Sequence, residues 1–449
     1  MAEVSFICKS TVLSTKPVQQ GELSSLSPLD LIMERNNLRI VFYYDFPTRR
    51  RPGELTKKLV ESISEMLCAY PVVTGRLLRT PNGRWTIKFN DAGVRMVEAK
   101  IKGSVDEWLQ NIDRDKELKL VYWEEMYHKP YFWSTFYVQI TEFEGGGLAI
   151  GLSCTHLLSD PVSATMMIKA WADTTLRGEI TSPPLFHPLP RRKQENNNNL
   201  KHNSHLIRHY KSAIQNLAPL SHTKKTTITL QFNQEAVKSC IVMAGNTNGD
   251  EPNTPFEALA ALFWTRISKI KGTAKNSLVD MSICMDMRKV LHLDKGFFGN
   301  CMAYNRVLGD GLDENEVSKA AAFIKEAISQ MDGDDDEVTG LIEWLERENY
   351  ENPPCMNGSH LVCADLGVVD SYSAVFEGKL GPINVSYYIE PAVGPGQIVI
   401  LPSSGGDGPY SRVVAVTLPE DEAEELLEDA LIKQFDATIL MGLLNKRHS

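Results

Sequence analysis

The chain has 449 residues, 47 Lys and Arg against 57 Asp and Glu, and a formal net charge of −10. This balance excludes nucleic acid as the main partner, because neutralising phosphates takes clustered Lys and Arg. A hydrophobic fraction of 43% with 23% charged residues describes a soluble globular protein, and the length suits two domains of about 200 residues each rather than one core.

The start, Met1-Ala2-Glu3-Val4-Ser5-Phe6, has no basic region leading into a long apolar core, so no secretory signal is expected. No stretch reaches the roughly 18 uninterrupted apolar residues of a membrane span. Leu26-Ser27-Pro28-Leu29-Asp30 is followed by the apolar run Arg39–Tyr44, read as a strand, and by a helical pattern from Leu55 to Tyr70 that runs into Tyr70-Pro71-Val72-Val73-Thr74-Gly75-Arg76-Leu77. Trp85–Phe89 reads as a further strand. Leu148-Ala149-Ile150-Gly151-Leu152 reads as a buried one, and soon after it comes His156-Leu157-Leu158-Ser159-Asp160. This places an imidazole at a strand end with a carboxylate four residues on. Such a site suits a general base, because histidine titrates near neutrality and a strand end is a rigid support. Ser163–Ala172 has helical spacing, and its Met and Trp residues are read as packing.

From about Gly178 to His205 the chain is rich in Pro, Asn and basic residues. It reads as an exposed crossover linker, since such a composition buries too little apolar area to offset its ordering entropy. The expected division is 1–177, a linker over 178–222, and 223–449. Strands and helices share both halves, giving an α/β or α+β fold. In the second half come Ile228–Phe232, Pro255-Phe256-Glu257-Ala258-Leu259-Ala260-Ala261-Leu262-Phe263-Trp264, then Asp286-Met287-Arg288 and Gly296-Phe297-Phe298-Gly299-Asn300. The acidic stretch Asp332–Glu337 reads as a surface loop without the ligand spacing of an EF-hand. Pro419–Glu422 opens a helix to about Lys433 with carboxylates at the positive end of its dipole. The eight cysteines, Cys355 among them, include no Cys-x-x-Cys pair. They read as reduced thiols of a cytosolic protein, with no metal site; Cys154, two residues before His156, reads as a small buried hydrophobe.

In this order and spacing the motifs resemble the plant BAHD acyltransferases, which carry the His-x-x-x-Asp motif and move an acyl group from coenzyme A to an alcohol or amine. The resemblance implies two chloramphenicol-acetyltransferase-like domains of mixed sheets and helices, acyl-CoA as co-substrate with no permanently bound cofactor, a small alcohol or amine acceptor, and a monomer. It implies His156 as the catalytic base, and a structural role for Asp160 paired with Arg288, with Asp286 a candidate for the same network. It leaves the coenzyme-binding residues unassigned.

Two positions depart from the family pattern. Pro161 stands where Gly usually follows the motif Asp, and Ala374–Pro382 replaces the usual Asp-Phe-Gly-Trp-Gly. In both respects, and in Val138–Phe143 and Gly145–Leu148, the chain resembles the eceriferum and glossy-type wax proteins. That branch implies a second expectation, a non-catalytic partner of a fatty-acid elongase condensing enzyme in very-long-chain (cuticular wax) synthesis, held at the endoplasmic reticulum through its partner. Against it, the chain keeps Gly296–Asn300, which the wax branch tends to lose.

Overall fold

The computed structural model describes residues 3–16, 21–46, 53–191, 204–215, 223–245, 252–272, 277–333, 335–348, 356, 360–404 and 408–442. The chain forms two compact units: Met1–Pro188 with Asp294–Asn300 and Asp370–Glu390, and Leu189–Leu293 with Cys301–Val369 and Pro391–Ser449.

The first unit holds strands β1 Val4–Val12, β2 Leu23–Ser25, β3 Asn37–Tyr44, β4 Arg76–Arg79, β5 Trp85–Lys88, β6 Val94–Ile101, β7 Phe136–Phe143, β8 Leu148–Thr155 and, much later in sequence, β13 Asn384–Glu390. Its helices are α1 Pro28–Leu31, α2 Glu54–Met66, α3 Pro71–Thr74, α4 Val105–Leu109, α5 Arg114–Glu117 and α6 Pro161–Arg177. The main sheet runs β1-β6-β7-β8-β3-β13, and a small one runs β2-β5-β4. Pairing is antiparallel except between β6 and β7. β8 lies inside the sheet with all eight residues buried, which is why it reads as a continuous apolar run rather than an alternating one. Gly151 at its middle meets the chain at Leu120: a Cβ there would lie 2.0 Å from the Leu120 carbonyl oxygen, so no larger residue fits.

β13 belongs to this unit because it pairs with β3 along its whole length. A buried carboxylate reinforces the join: Glu117 accepts hydrogen bonds from Tyr43 on β3 (2.9 Å) and from Ser386 (2.9 Å) and Tyr388 on β13. Burial pushes its carboxyl up, against the pull of these three donors.

The second unit holds β9 Lys225–Phe232, β10 Met281–Asp286, β11 Met302–Val307, β12 Leu361–Asp365, β14 Gln397–Pro402, β15 Arg412–Pro419 and β16 Thr438–Met441, in the order β11-β10-β12-β14-β15-β9-β16. Its helices are α7 His205–Gln215, α8 Gln234–Ala244, α9 Pro255–Ile270, α10 Val317–Asp332, α11 Asp335–Arg347, α12 Glu420–Glu428 and α13 Ala430–Lys433. A complete capping box between Thr254 and Glu257, with Pro255 at the first helical position, starts α9. This helix is buried almost all round, as its apolar sequence requires, and it is the centre of the unit's core.

Several expectations are corrected here. A single cut between 177 and 223 does not describe the chain, because Asp294–Asn300 and Asp370–Glu390 pack with the first unit. The stretch read as an exposed linker contains α7, whose Leu206, Ile207, Tyr210 and Ala213 are buried: an amphipathic stripe hidden behind a polar composition. Its residues 192–203 and 216–222 lie outside the described residues, as does Cys355. In the acidic stretch read as a surface loop, Asp332 ends α10 and Asp335–Glu337 begin α11, while Asp334 lies outside the described residues. The helix expected from Pro419 to Lys433 is two, because Asp429 adopts an extended conformation (φ −60°, ψ 126°) and caps α13 with its side chain.

Candidate functional site

β8 carries His156 out of the sheet, and the His156 N–H donates to the Asn36 carbonyl at 3.0 Å, fixing the backbone where the strand ends. The chain turns through Leu157–Ser159 and enters α6. Asp160 is the N-cap: its Oδ1 accepts from the Ser163 N–H at 2.8 Å, and the residue is fully buried. Pro161 takes the first helical position, where a missing N–H costs nothing and the fixed φ suits the helix. The proline that departs from the family's usual Gly is therefore a good helix start.

His156 is 1% exposed, and burial lowers its pKa, with the Asp160 charge and the hydrogen bond to Asn300 pulling the other way. Its Nδ1 lies 2.8 Å from Asn300 Oδ1. The Asn300 side-chain amide donates both its protons, one to Asp30 Oδ1 at 2.8 Å and one to the His156 carbonyl at 2.7 Å. A flipped amide would set an oxygen against two acceptors, so Oδ1 must face the ring. Nδ1 is therefore the protonated nitrogen and donates to Asn300, which leaves Nε2 as the basic one.

Asp30 holds Asn300 in turn. Its Oδ1 also accepts the Asn300 backbone N–H at 3.1 Å, while its Oδ2 accepts the Ser27 N–H at 2.7 Å in the capping box of α1. Burial pushes the Asp30 carboxyl up, opposed by the N–H donors from Asn300 and Ser27. The segment bearing Asn300 is pinned by Leu185, whose N–H donates to the Gly296 carbonyl and whose carbonyl accepts from Phe298. Ser163 and Gly299 exchange two hydrogen bonds of 3.0 Å, and the Phe298 ring meets Tyr70 edge-on at 5.3 Å.

Four motifs legible in the sequence thus converge in the first unit: Leu26–Asp30, Tyr70–Leu77, His156–Asp160 and Gly296–Asn300. Asn300 and Asp30 are the residues in the hydrogen-bond chain to His156 that sequence reasoning did not single out. Their signal was a short polar side chain closing an otherwise apolar motif. Arg288 lies in the second unit, 8% exposed, with its Nη1 2.6 Å from Asp286 Oδ1, so these two residues share an ion pair. The Cys154 thiol is fully buried and raised well above its ordinary pKa, which keeps it protonated and inert. Among the described residues no three His, Cys, Asp or Glu side chains form a metal-binding group, and no helix is long and apolar enough to cross a membrane.

Chemically, the arrangement is a neutral imidazole with a fixed tautomer, oriented by an amide that is itself anchored by a carboxylate. It suits abstraction of one proton by Nε2.

The chain matches the model of the Transferase family over residues 2–431. Among curated proteins it is similar to Protein ECERIFERUM 26 of Arabidopsis thaliana, 29% identical with 93% of each chain covered. It is also similar to rosmarinate synthase of Plectranthus scutellarioides, 26% identical over 92% of this chain and 96% of that one. Among solved structures it resembles F. sporotrichioides TRI101 complexed with coenzyme A and T-2, with a TM-score of 0.69, 14% identity, and 93% and 100% of the two chains covered. The likeness in structure shows a shared fold.

Proposed function

The chain belongs to the Transferase family, the acyltransferases whose motifs it carries, and from that premise we propose that it transfers an acyl group from an acyl-CoA to a small alcohol or amine, with His156 as the general base. The observation that carries this reading is the Asp30–Asn300–His156 chain of hydrogen bonds, which leaves Nε2 unprotonated. Nε2 takes the proton of the acceptor hydroxyl or amine as that group attacks the thioester carbonyl. The tetrahedral intermediate then collapses, the C–S bond breaks, and the coenzyme A thiolate leaves and recovers the proton from the imidazolium. No acyl-enzyme is formed, in keeping with the inert Cys154. Asp160 and Arg288 are structural supports in this reading: Asp160 starts the helix behind the histidine, and Arg288 organises the Asp286–Arg288 segment.

A second reading has a specific basis. The likeness to ECERIFERUM 26, together with the replacement of Asp-Phe-Gly-Trp-Gly by Ala374–Pro382, favours a non-catalytic accessory of a fatty-acid elongase condensing enzyme. Intact geometry around His156 favours catalysis.

One experiment separates them. Purified protein is offered short, aromatic and long-chain acyl-CoAs with mixed alcohols and amines, and coenzyme A release is followed beside His156→Ala. Turnover that disappears in the variant is the expected result. Absence of turnover from folded wild-type protein, with an effect on elongase chain length that survives His156→Ala on co-expression, would establish the accessory role instead.

A further inference from the structure

We propose that the second unit carries a binding site for a small organic phosphate, in a cavity of about 460 Å3 beside the C-terminal half of α9 and the start of α10. The site is independent of the acyl-transfer reading, and every residue lining it belongs to the second unit.

Three observations meet there. The first is charge. Arg266 and Lys269 from α9 line the cavity against a single carboxylate, Asp429, in a chain whose overall balance is −10. Asp429 is already committed, since its Oδ1 caps α13 by accepting from Leu431 N–H at 3.0 Å and Ile432 N–H at 3.1 Å. Lys269 forms no ion pair among the described residues.

The second observation is the state of Arg266. It is 4% exposed, and its guanidinium spans the cavity wall: Nη1 lies 4.0 Å from Asp429 Oδ2, and Nη2 donates to the carbonyl of Glu314, next to the cavity-lining Asn315. Its Nε has no hydrogen-bond partner among the described residues. A buried arginine with one long ion pair and an idle donor is under-satisfied, and arginine's planar fork matches phosphate oxygens.

The third is the start of α10. Val317 and Ser318, its first two residues, line the cavity, and the cap residue Glu316 makes no side-chain capping bond. Its side chain turns back to the Asp313 N–H and to Lys319 instead. The first-turn N–H groups of this sixteen-residue helix therefore lack intrahelical acceptors at the positive end of its dipole. A phosphate seated between Lys269 and these N–H groups would use all three features. The apolar side chains of Val317 and Leu431 offer a surface for the ligand's organic part, and the volume lies within the range of small-molecule sites.

The test is hydrogen–deuterium exchange on the full chain in inorganic phosphate and in n-butyl phosphate, each against chloride at equal ionic strength. Saturable protection of the amides of Val317–Lys319 is expected, at lower concentration for the butyl ester. Lys269 is exposed on the last turn of α9, so Lys269→Glu should fold normally and weaken binding by about tenfold, the loss of one charge-assisted hydrogen bond. Arg266→Gln should weaken it further, and where that variant fails to fold, Lys269→Glu alone decides. No saturable protection in the wild type, or protection undiminished in Lys269→Glu, would overturn the proposal. Equal affinity for the two phosphates would assign the site to the inorganic ion rather than to an organic phosphate.

Discussion

Each unit buries a histidine at its sheet, and only one of the two has a carboxylate-anchored amide against its ring. His156 and His209 are 1% and 4% exposed, and burial lowers the pKa of both. For His209 burial is reinforced by the neighbouring His360 and then Arg306, and its pKa falls to about 3. The difference lies in which nitrogen is engaged. His156 spends Nδ1 on Asn300 and keeps Nε2. His209 places Nε2 3.1 Å from the Ser282 hydroxyl, which also lies 3.3 Å from His360 Nδ1, and its own Nδ1 has no partner among the described residues. Ser282 is itself completely buried. Burial makes an imidazole neutral; an amide oxygen that can only accept fixes which nitrogen of His156 stays basic, whereas the Ser282 hydroxyl beside His209 can donate or accept and fixes neither.

The largest expected effect comes from removing the two rings in turn. His156→Ala should lower turnover by about 10²- to 10⁴-fold, the usual span for a general base, in protein that still folds but has lost about 2–3 kcal/mol of stability from the emptied buried site. His209→Ala should keep turnover and lose about 2–3 kcal/mol of stability, as for other buried-ring truncations. A folded His209→Ala protein with no turnover would break the comparison.

Next comes the orienting amide. Asn300→Ala leaves the base in place but frees its tautomer, so kcat should fall by roughly 10- to 100-fold with the KM for acyl-CoA nearly unchanged. An unchanged kcat would remove Asn300 and Asp30 from the reading. Asp160→Ala should instead act on folding, lowering urea stability by about 1–2 kcal/mol through loss of the α6 cap. A variant as stable as the wild type would show that the cap is dispensable.

The smallest effect is on the dependence of stability on pH. Both histidines are held neutral in the folded chain, while the unfolded chain takes up their protons from about pH 6.5 downward. Their contribution is therefore complete above that pH and lost as pH falls below it, for His209 down to about 3. Asp30 and Glu117 have raised folded values, so their contribution is present at low pH and lost as pH rises from about 4 through those values. His209→Phe should flatten the acid-side slope of urea stability between pH 6.5 and about 3, the interval between the unfolded and folded values of His209. A slope equal to that of the wild type would show that His209 is already protonated in the folded protein.

Much of this was legible in the amino-acid order alone. β3, β5, β8, α2 and α6 follow from apolar runs and helical spacing, because strand and helix periods are imposed locally by the backbone. His156 stood out for the same reason, as an imidazole placed directly after a strand. Only the tertiary structure decided the rest. It brought β13 to β3 across more than 300 residues, folded α7 into a stretch whose composition reads as linker, and placed Pro161, the departure from the family pattern, at a helix start. Above all it set Asn300 and Asp30, 270 positions apart, on the same imidazole. A tautomer is chosen by a hydrogen bond, and a bond between segments so distant depends on how sheets and loops pack, for which sequence spacing carries no signal.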